Sequence, residues 1–232
     1  METRSSRRWT DSPGSLWRAG SSEILPSDNS LGIPFLNPYA GAIPGRLEAF
    51  GTRRDRIASP QEVGLHFFLD DYRFERVWNN PHRGLAAVSG YGCALSPDFS
   101  LYADWPQALQ VWNVYRARWI GAWWQARGVD VVPTVSWAGE SSWEFCFLGL
   151  PRGSVLAVST VGIIRNRDAR EAFVAGFEAM ARQLAPALVL AYGRPVPEVE
   201  DLAEIRYYPT RWDKTSSVED IGQPMGVDFH RV

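Results

Sequence analysis

From residue 59 onward the chain alternates between short, continuously apolar runs and stretches whose apolar residues recur every three or four positions. The runs fall at 64–69, 92–95, 131–135, 155–158 and 188–191, with a sixth candidate at 205–208. Continuous rather than alternating apolar character marks strands that are covered on both faces, as in parallel sheets. Between them lie helix signals. Asp104 caps a helix with Pro106 in its first turn and Gln107 as capping-box partner. Ala108, Trp112, Tyr115, Trp119 and Trp123 then share one face until Gly128 ends it. Asp168 with Glu171 opens a second long helix, striped by Phe173, Phe177, Met180, Ala181 and Leu184 and stopped by Pro186. Shorter helical pieces are expected at 74–79, behind Ser141 and Glu144, and around 199–203.

Helices at nearly every connection between apolar strands predict βα repeats with right-handed crossovers. The expected fold is therefore α/β, with a mostly parallel sheet of about five to six strands. A TIM-like, incompletely closed barrel fits this pattern better than an open doubly wound sheet. Residues 1–30, rich in Ser, Arg, Pro and Gly, read as a flexible arm carrying Arg4, Arg7, Arg8 and Arg18. Residues 31–58 read as an extended lead-in anchored by Ile33, Phe35, Leu36, Tyr39, Ile43, Leu47 and Phe50, within a single domain spanning 31–210. Residues 211–232 read as a polar tail.

Composition narrows the picture. A hydrophobic fraction of 45% in 232 residues suits a globular domain that needs no covalent staples. Eleven tryptophans suit a thick core or a cavity wall. The net charge of −2 gives no overall attraction to nucleic acid or anionic lipid, although a local basic patch stays open. Nearly all the positive charge is Arg, with Lys214 the only lysine, as codon bias in a GC-rich genome would give. Cys93 and Cys146 sit in apolar stretches without a C-x-x-C spacing, which disfavours structural zinc and fits a reducing cytoplasm. No run approaches a membrane span and no signal peptide is visible, so the expectation is a cytoplasmic protein without a membrane partner.

In both β/α architectures ligands bind beyond the carboxyl ends of the strands. In order, those ends present Asp70 and Asp71, Ser96 and Asp98, Ser136 and Trp137 with Glu140 behind them, Ser159 and Thr160, and Tyr192. Asp70, Asp71 and Asp98 are the catalytic candidates. They could divide acid and base roles, or together hold Mg²⁺. An Asp after a strand is as often a cap or turn former, and for Asp71 and Asp98 the two readings weigh about equally. Ser96, Ser136, Trp137, Glu140, Ser159, Thr160 and Tyr192 are the substrate-binding candidates. Trp137 could stack on a base or sugar, and it could as well be a core lid. Ser159 and Thr160 could offer hydroxyls to an anion. No P-loop, G-x-G-x-x-G, H-E-x-x-H or G-x-S-x-G occurs. His66, His82 and His230 have no His or Cys at ligand spacing, which argues against histidine chemistry.

The stretch from Gly64 through Leu-His-Phe-Phe-Leu-Asp-Asp-Tyr-Arg-Phe-Glu-Arg-Val-Trp-Asn-Asn to Pro81 resembles the domain of unknown function 4417 family of bacteria, phages and mobile elements. Ser96-Pro-Asp-Phe-Ser-Leu-Tyr102, Val131-Val-Pro-Thr-Val-Ser-Trp137, Val158-Ser-Thr-Val-Gly162 and Tyr192-Gly193 are similar to it as well. The resemblance covers about residues 33–195. It implies a phage or mobile-element setting and brings no reaction with it. Two functions follow as expectations. The first is an enzyme, a hydrolase or transferase, acting through the acidic strand-end site on a nucleotide, nucleic acid or sugar-containing substrate. The second is a non-catalytic accessory that binds nucleic acid or protein, with the Arg-bearing arm engaged in replication or host interaction. Neither choice fixes the oligomeric state.

Overall fold

The computed structural model describes residues 23–163 and 166–210. Seven strands and five α-helices alternate along them: β1 (Arg46–Ala49), β2 (Val63–His66), α1 (Glu75–Asn79), α2 (Pro81–Val88), β3 (Cys93–Leu95), α3 (Gln107–Gln125), β4 (Val131–Val132), α4 (Trp143–Cys146), β5 (Val155–Ser159), α5 (Arg167–Leu184), β6 (Leu188–Tyr192) and β7 (Ile205–Tyr208). All pairings between them are parallel. They form one sheet in the order β1-β2-β3-β4 and a second in the order β5-β6-β7. A single parallel bridge, Thr134 with Ala157, spans the two. It is fastened by Val135 N–H donating to the Ala157 carbonyl and Ala157 N–H donating to the Pro133 carbonyl, each at 2.8 Å. β4 itself is only two residues long. Pro133 has no N–H to give and ends the regular ladder there.

The strands β2 to β6 are largely apolar on both sides because both sides are covered. Outside the first sheet, Leu65 and Ala94 pack with Phe74, Val77, Trp119, Ile120 and Trp124 of the α1–α3 layer. Outside the second, Leu156, Val158, Val189 and Ala191 pack with Phe173, Phe177, Met180 and Leu184 of α5. The opposite faces of both sheets meet in a third cluster. It contains Leu47 of β1, Cys93 and Leu95 of β3, Val132 of β4, Ala157 of β5, Leu190 and Tyr192 of β6 and Tyr208 of β7. Tyr208 Oη also donates to the Pro44 carbonyl at 2.8 Å, linking the last strand to the segment that leads into the first.

The expected strands are present, and two elements join them. β1 lies in what reads as a lead-in, because its four residues include Arg46 and Glu48 and show no apolar run. It is recruited by the register Arg46↔Val63 through Ala49↔His66. α2 begins at Pro81, where the sequence suggests a stop. Pro is acceptable in a first helical turn, and the Asn80 side chain caps the helix by accepting from Arg83 N–H.

Caps elsewhere differ from expectation. Asp104 does not cap α3, which starts at Gln107. Asn166, not Asp168, caps α5, accepting from Ala169 N–H at 3.1 Å. The acidic piece near 199–203 is a 3-10 turn at Pro197–Val199. The predicted face of α3 is too narrow: Ala108 is exposed, whereas Gln110, Asn113, Arg116 and Arg118 are buried. The arm boundary at residue 30 also moves. Leu25 is buried, and Glu23 accepts hydrogen bonds from Trp119 Nε1, Trp123 Nε1 and Arg127, so this segment packs on α3. Arg4, Arg7, Arg8, Arg18 and the polar tail from 211 lie outside the described residues.

Candidate functional site

The carboxyl ends of β3, β4 and β5 converge on a cavity of about 270 Å³. Asp98, Ser136, Trp137 and Ser159 line it, with Val135, Val158 and Phe173 among the apolar walls. Four of the ten residues singled out in the sequence thus share one space, although they come from three strand ends spread over some sixty positions. Three local devices aim them. Ser96 is fully buried and acts as a clamp: its Oγ accepts from Thr134 N–H at 2.8 Å, and its carbonyl accepts from Thr134 Oγ1 at 2.7 Å. The chain just past β3 and β4 is thereby held side by side, with Asp98 two residues beyond Ser96 and Ser136 two beyond Thr134. Trp137 is fixed by its Nε1, which donates to the Ala172 carbonyl at 3.2 Å, and by its ring lying against Phe173. The indole can lie there because position 176 on α5 is Gly, where a Cβ would come within 2.1 Å of Trp137 Nε1.

Asp98 is the chemically distinctive member. Its side chain keeps partial exposure, yet Oδ1 is enclosed and has no hydrogen-bond partner among the described residues. Burial pushes its carboxyl up to about 7. A hydrogen bond with Ser136 opposes the rise, the Asp71 carboxylate adds to it, and the Arg118 guanidinium opposes it. Arg118 comes from α3 and is buried at 3% exposure. It donates to the carbonyls of Leu148, Thr134 and Cys146 at 3.2, 3.1 and 2.8 Å. These bonds anchor the loops after β4 and around α4 to the helix, and they fix a positive charge near Asp98. A carboxyl poised near neutrality beside a hydroxyl can both give and take a proton at physiological pH.

The remaining candidates disperse. Asp71 acts structurally, accepting from Ser100 N–H at 3.2 Å and from Ser100 Oγ at 2.9 Å; it reaches Asp98 through its charge. Asp70 is exposed at the start of the 3-10 turn Asp71–Arg73. Among the described residues no three His, Cys, Asp or Glu side chains come together as a metal-binding group, so Asp70, Asp71 and Asp98 do not assemble the expected Mg²⁺ set. Glu140 is exposed at the head of the turn Glu140–Ser142 and does not line the cavity. Thr160 is buried as a tie, its Oγ1 donating to the Arg194 carbonyl at 2.8 Å. Tyr192 faces a different cleft, its ring tilted against His66 with ring centroids 4.1 Å apart.

The domain of unknown function family DUF4417 matches residues 25–209, which takes in every strand and the whole cavity. This chain belongs to that family. The Gene 1 protein of Mycobacterium phage D29 is 43% identical over 214 residues, covering 91% of this chain and 79% of the phage protein. The Gene 1 protein of Mycobacterium phage L5 is 43% identical over 215 residues, covering 91% and 93%. No solved structure gives a significant match. Both relatives are phage proteins, and the family description carries no reaction, so chemistry in this DUF4417 member has to be argued from the cavity.

Arg118 is the functional residue that the sequence reading passes over. Its signal is present: one charge stands inside the run Ala117-Arg-Trp-Ile-Gly-Ala-Trp-Trp124, and a buried Arg must find acceptors. No helix among the described residues is long and apolar enough to cross a membrane.

Proposed function

We propose that this DUF4417 protein is an enzyme in which Asp98 serves as general acid and base on a small polar group held in the strand-end cavity. The observation that carries the reading is Asp98 Oδ1, enclosed at the cavity without a hydrogen-bond partner among the described residues, on a carboxyl that also meets the Ser136 hydroxyl. Ser136 and Ser159 would orient the reacting group, Trp137 would pack against a sugar or base, and Arg118 would keep the carboxyl from rising out of the useful range. The substrate class is a nucleotide, nucleic-acid end or sugar-containing molecule, and the setting a phage-infected host cytoplasm. The shared inner cluster, the Thr134–Ala157 bridge and the Tyr208–Pro44 bond support a barrel-like closure of the seven strands, which would place the cavity at the carboxyl rim where such folds keep their sites.

The test is a thermal-shift screen of nucleosides, nucleotides and sugar phosphates on wild type and Asp98→Asn, followed by product analysis of any stabilising compound. The reading expects at least one compound that stabilises wild type, is turned over with a pH profile breaking near 7, and is left unchanged by Asp98→Asn. Turnover that survives Asp98→Asn with the same pH profile removes Asp98 from the chemistry.

A further inference from the structure

A second cavity, of about 570 Å³, opens at the carboxyl ends of β1 and β2, and its charge is one-sided. Arg53, Arg56, Arg73 and Arg76 line it, against Glu48 as the one lining carboxylate. Glu48 is already shared with Arg46 at 3.9 Å, and Arg53 is paired with Asp55. Arg56, Arg73 and Arg76 make no ion pair with any described carboxylate, in a chain whose net charge is −2. Like charges crowded into one concavity repel one another and raise the local concentration of anions.

The placement of these arginines is built into the fold. Arg73 and Arg76 are three residues apart across the turn into α1, so they share a side, while Glu75 between them points away to Arg116 at 2.7 Å. Arg76 is steadied over the Phe50 ring, 4.7 Å from its centroid. Arg53 precedes and Arg56 closes the 3-10 turn Arg54–Arg56, which follows β1 through Gly51, whose φ of +91° favours glycine. The floor is aromatic. His66, 2% exposed, stacks on Phe68 and lies tilted against Tyr192, and its Nδ1 accepts from Phe68 N–H. Thr52 adds a hydroxyl at the wall.

We propose that this arginine-lined cleft is a binding site for the phosphate groups of a phosphorylated small molecule, of the nucleotide or polyphosphate class. Guanidinium forks match phosphate oxygens in geometry and charge, and the volume lies within the roughly 300–1,000 Å³ of small-molecule sites. The sequence offers no phosphate loop because none is needed: the cation comes from side chains on two separate turns. The site stands on its own residues and does not depend on a role for Asp98.

The experiment is isothermal titration of the full chain with inorganic pyrophosphate, ATP, adenosine and a short single-stranded oligothymidylate at low salt. It uses wild type, Arg56→Gln/Arg73→Gln and Asp98→Asn, with circular dichroism to confirm folding. The expected result is binding of pyrophosphate and ATP that the double variant weakens by roughly a hundredfold, about tenfold per arginine. Adenosine should bind weakly or not at all, added salt should weaken the phosphate compounds, and Asp98→Asn should bind pyrophosphate as wild type does. Failure of both phosphate compounds to bind, equal binding by the double variant, or binding of the oligonucleotide alone would each overturn the proposal. Intact pyrophosphate binding in an Asp98→Asn protein without turnover would uphold this site and the Asp98 reading separately.

Discussion

Asp98→Asn should convert a pH-dependent stability into a flatter one. In the folded chain the carboxyl titrates at about 7 against an ordinary value of 3.8, with burial the largest cause. Between those two pH values the folded protein holds a proton that the unfolded chain has released, so stability falls as pH rises. Each pH unit is worth about 1.4 kcal/mol, and the interval of roughly three units gives about 4 kcal/mol. Partial exposure of the side chain makes that figure an upper bound. The loss is complete above pH 7 and absent below pH 4. Asn is nearly isosteric and cannot ionise, so the variant keeps the shape and removes this dependence. The assay is urea unfolding at half-unit steps from pH 5 to 8, read as the wild-type minus variant difference. That difference should decline by about 2–3 kcal/mol across the range and level off beyond 7. A difference that stays flat from pH 5 to 8 would refute the enclosed, desolvated carboxyl on which the site rests.

Other substitutions probe the supports. Arg118→Met should cost about 3–5 kcal/mol in denaturant unfolding, because three carbonyls lose their donor, and should raise the Asp98 titration seen by carboxyl-carbon NMR. Ser96→Ala should cost about 1–3 kcal/mol, since Thr134 N–H loses its acceptor in a buried clamp, whereas Glu140→Gln at an exposed turn should leave urea midpoints within about 0.5 kcal/mol of wild type. Gly176→Ala should displace Trp137 and cost about 1–3 kcal/mol, visible as a shift in tryptophan emission and a changed cavity; an unshifted spectrum with unchanged stability would contradict the contact.

Much of the fold was legible because burial on both faces writes continuous apolar runs, as in the strands at 63–66, 93–95, 131–132, 155–159 and 188–192, whereas 205–208 is interrupted by the exposed Arg206. β1 was not legible. Its inward face shows as Leu47 alone, and its pairing partner lies 17 residues on in the register Arg46↔Val63. The cap at Asp168 was misplaced because Asn166 lies two residues before it and the backbone turn brings the Asn to the free N–H group, while α3 starts behind Pro106 with no side-chain cap at all. Of the polar residues past the strand ends, Asp98, Ser136, Trp137 and Ser159 line one cavity. Asp70 and Glu140 are exposed, Asp71 and Thr160 are engaged in hydrogen bonds to the backbone, and Tyr192 lines the other cleft.

The alternation of apolar runs and helical stripes by itself determined that this chain builds parallel βα units, because hydrophobic burial acts on local pattern. Only the tertiary structure decided which polar ends meet. Whether a carboxylate faces water or a closed wall depends on the register between strands, on the Ser96–Thr134 clamp and on a guanidinium arriving from α3, all of them contacts between residues distant in the chain. The arginine cleft shows the same division. Its four cations are plain in the sequence, but their shared concavity exists only once β1 has paired beside β2.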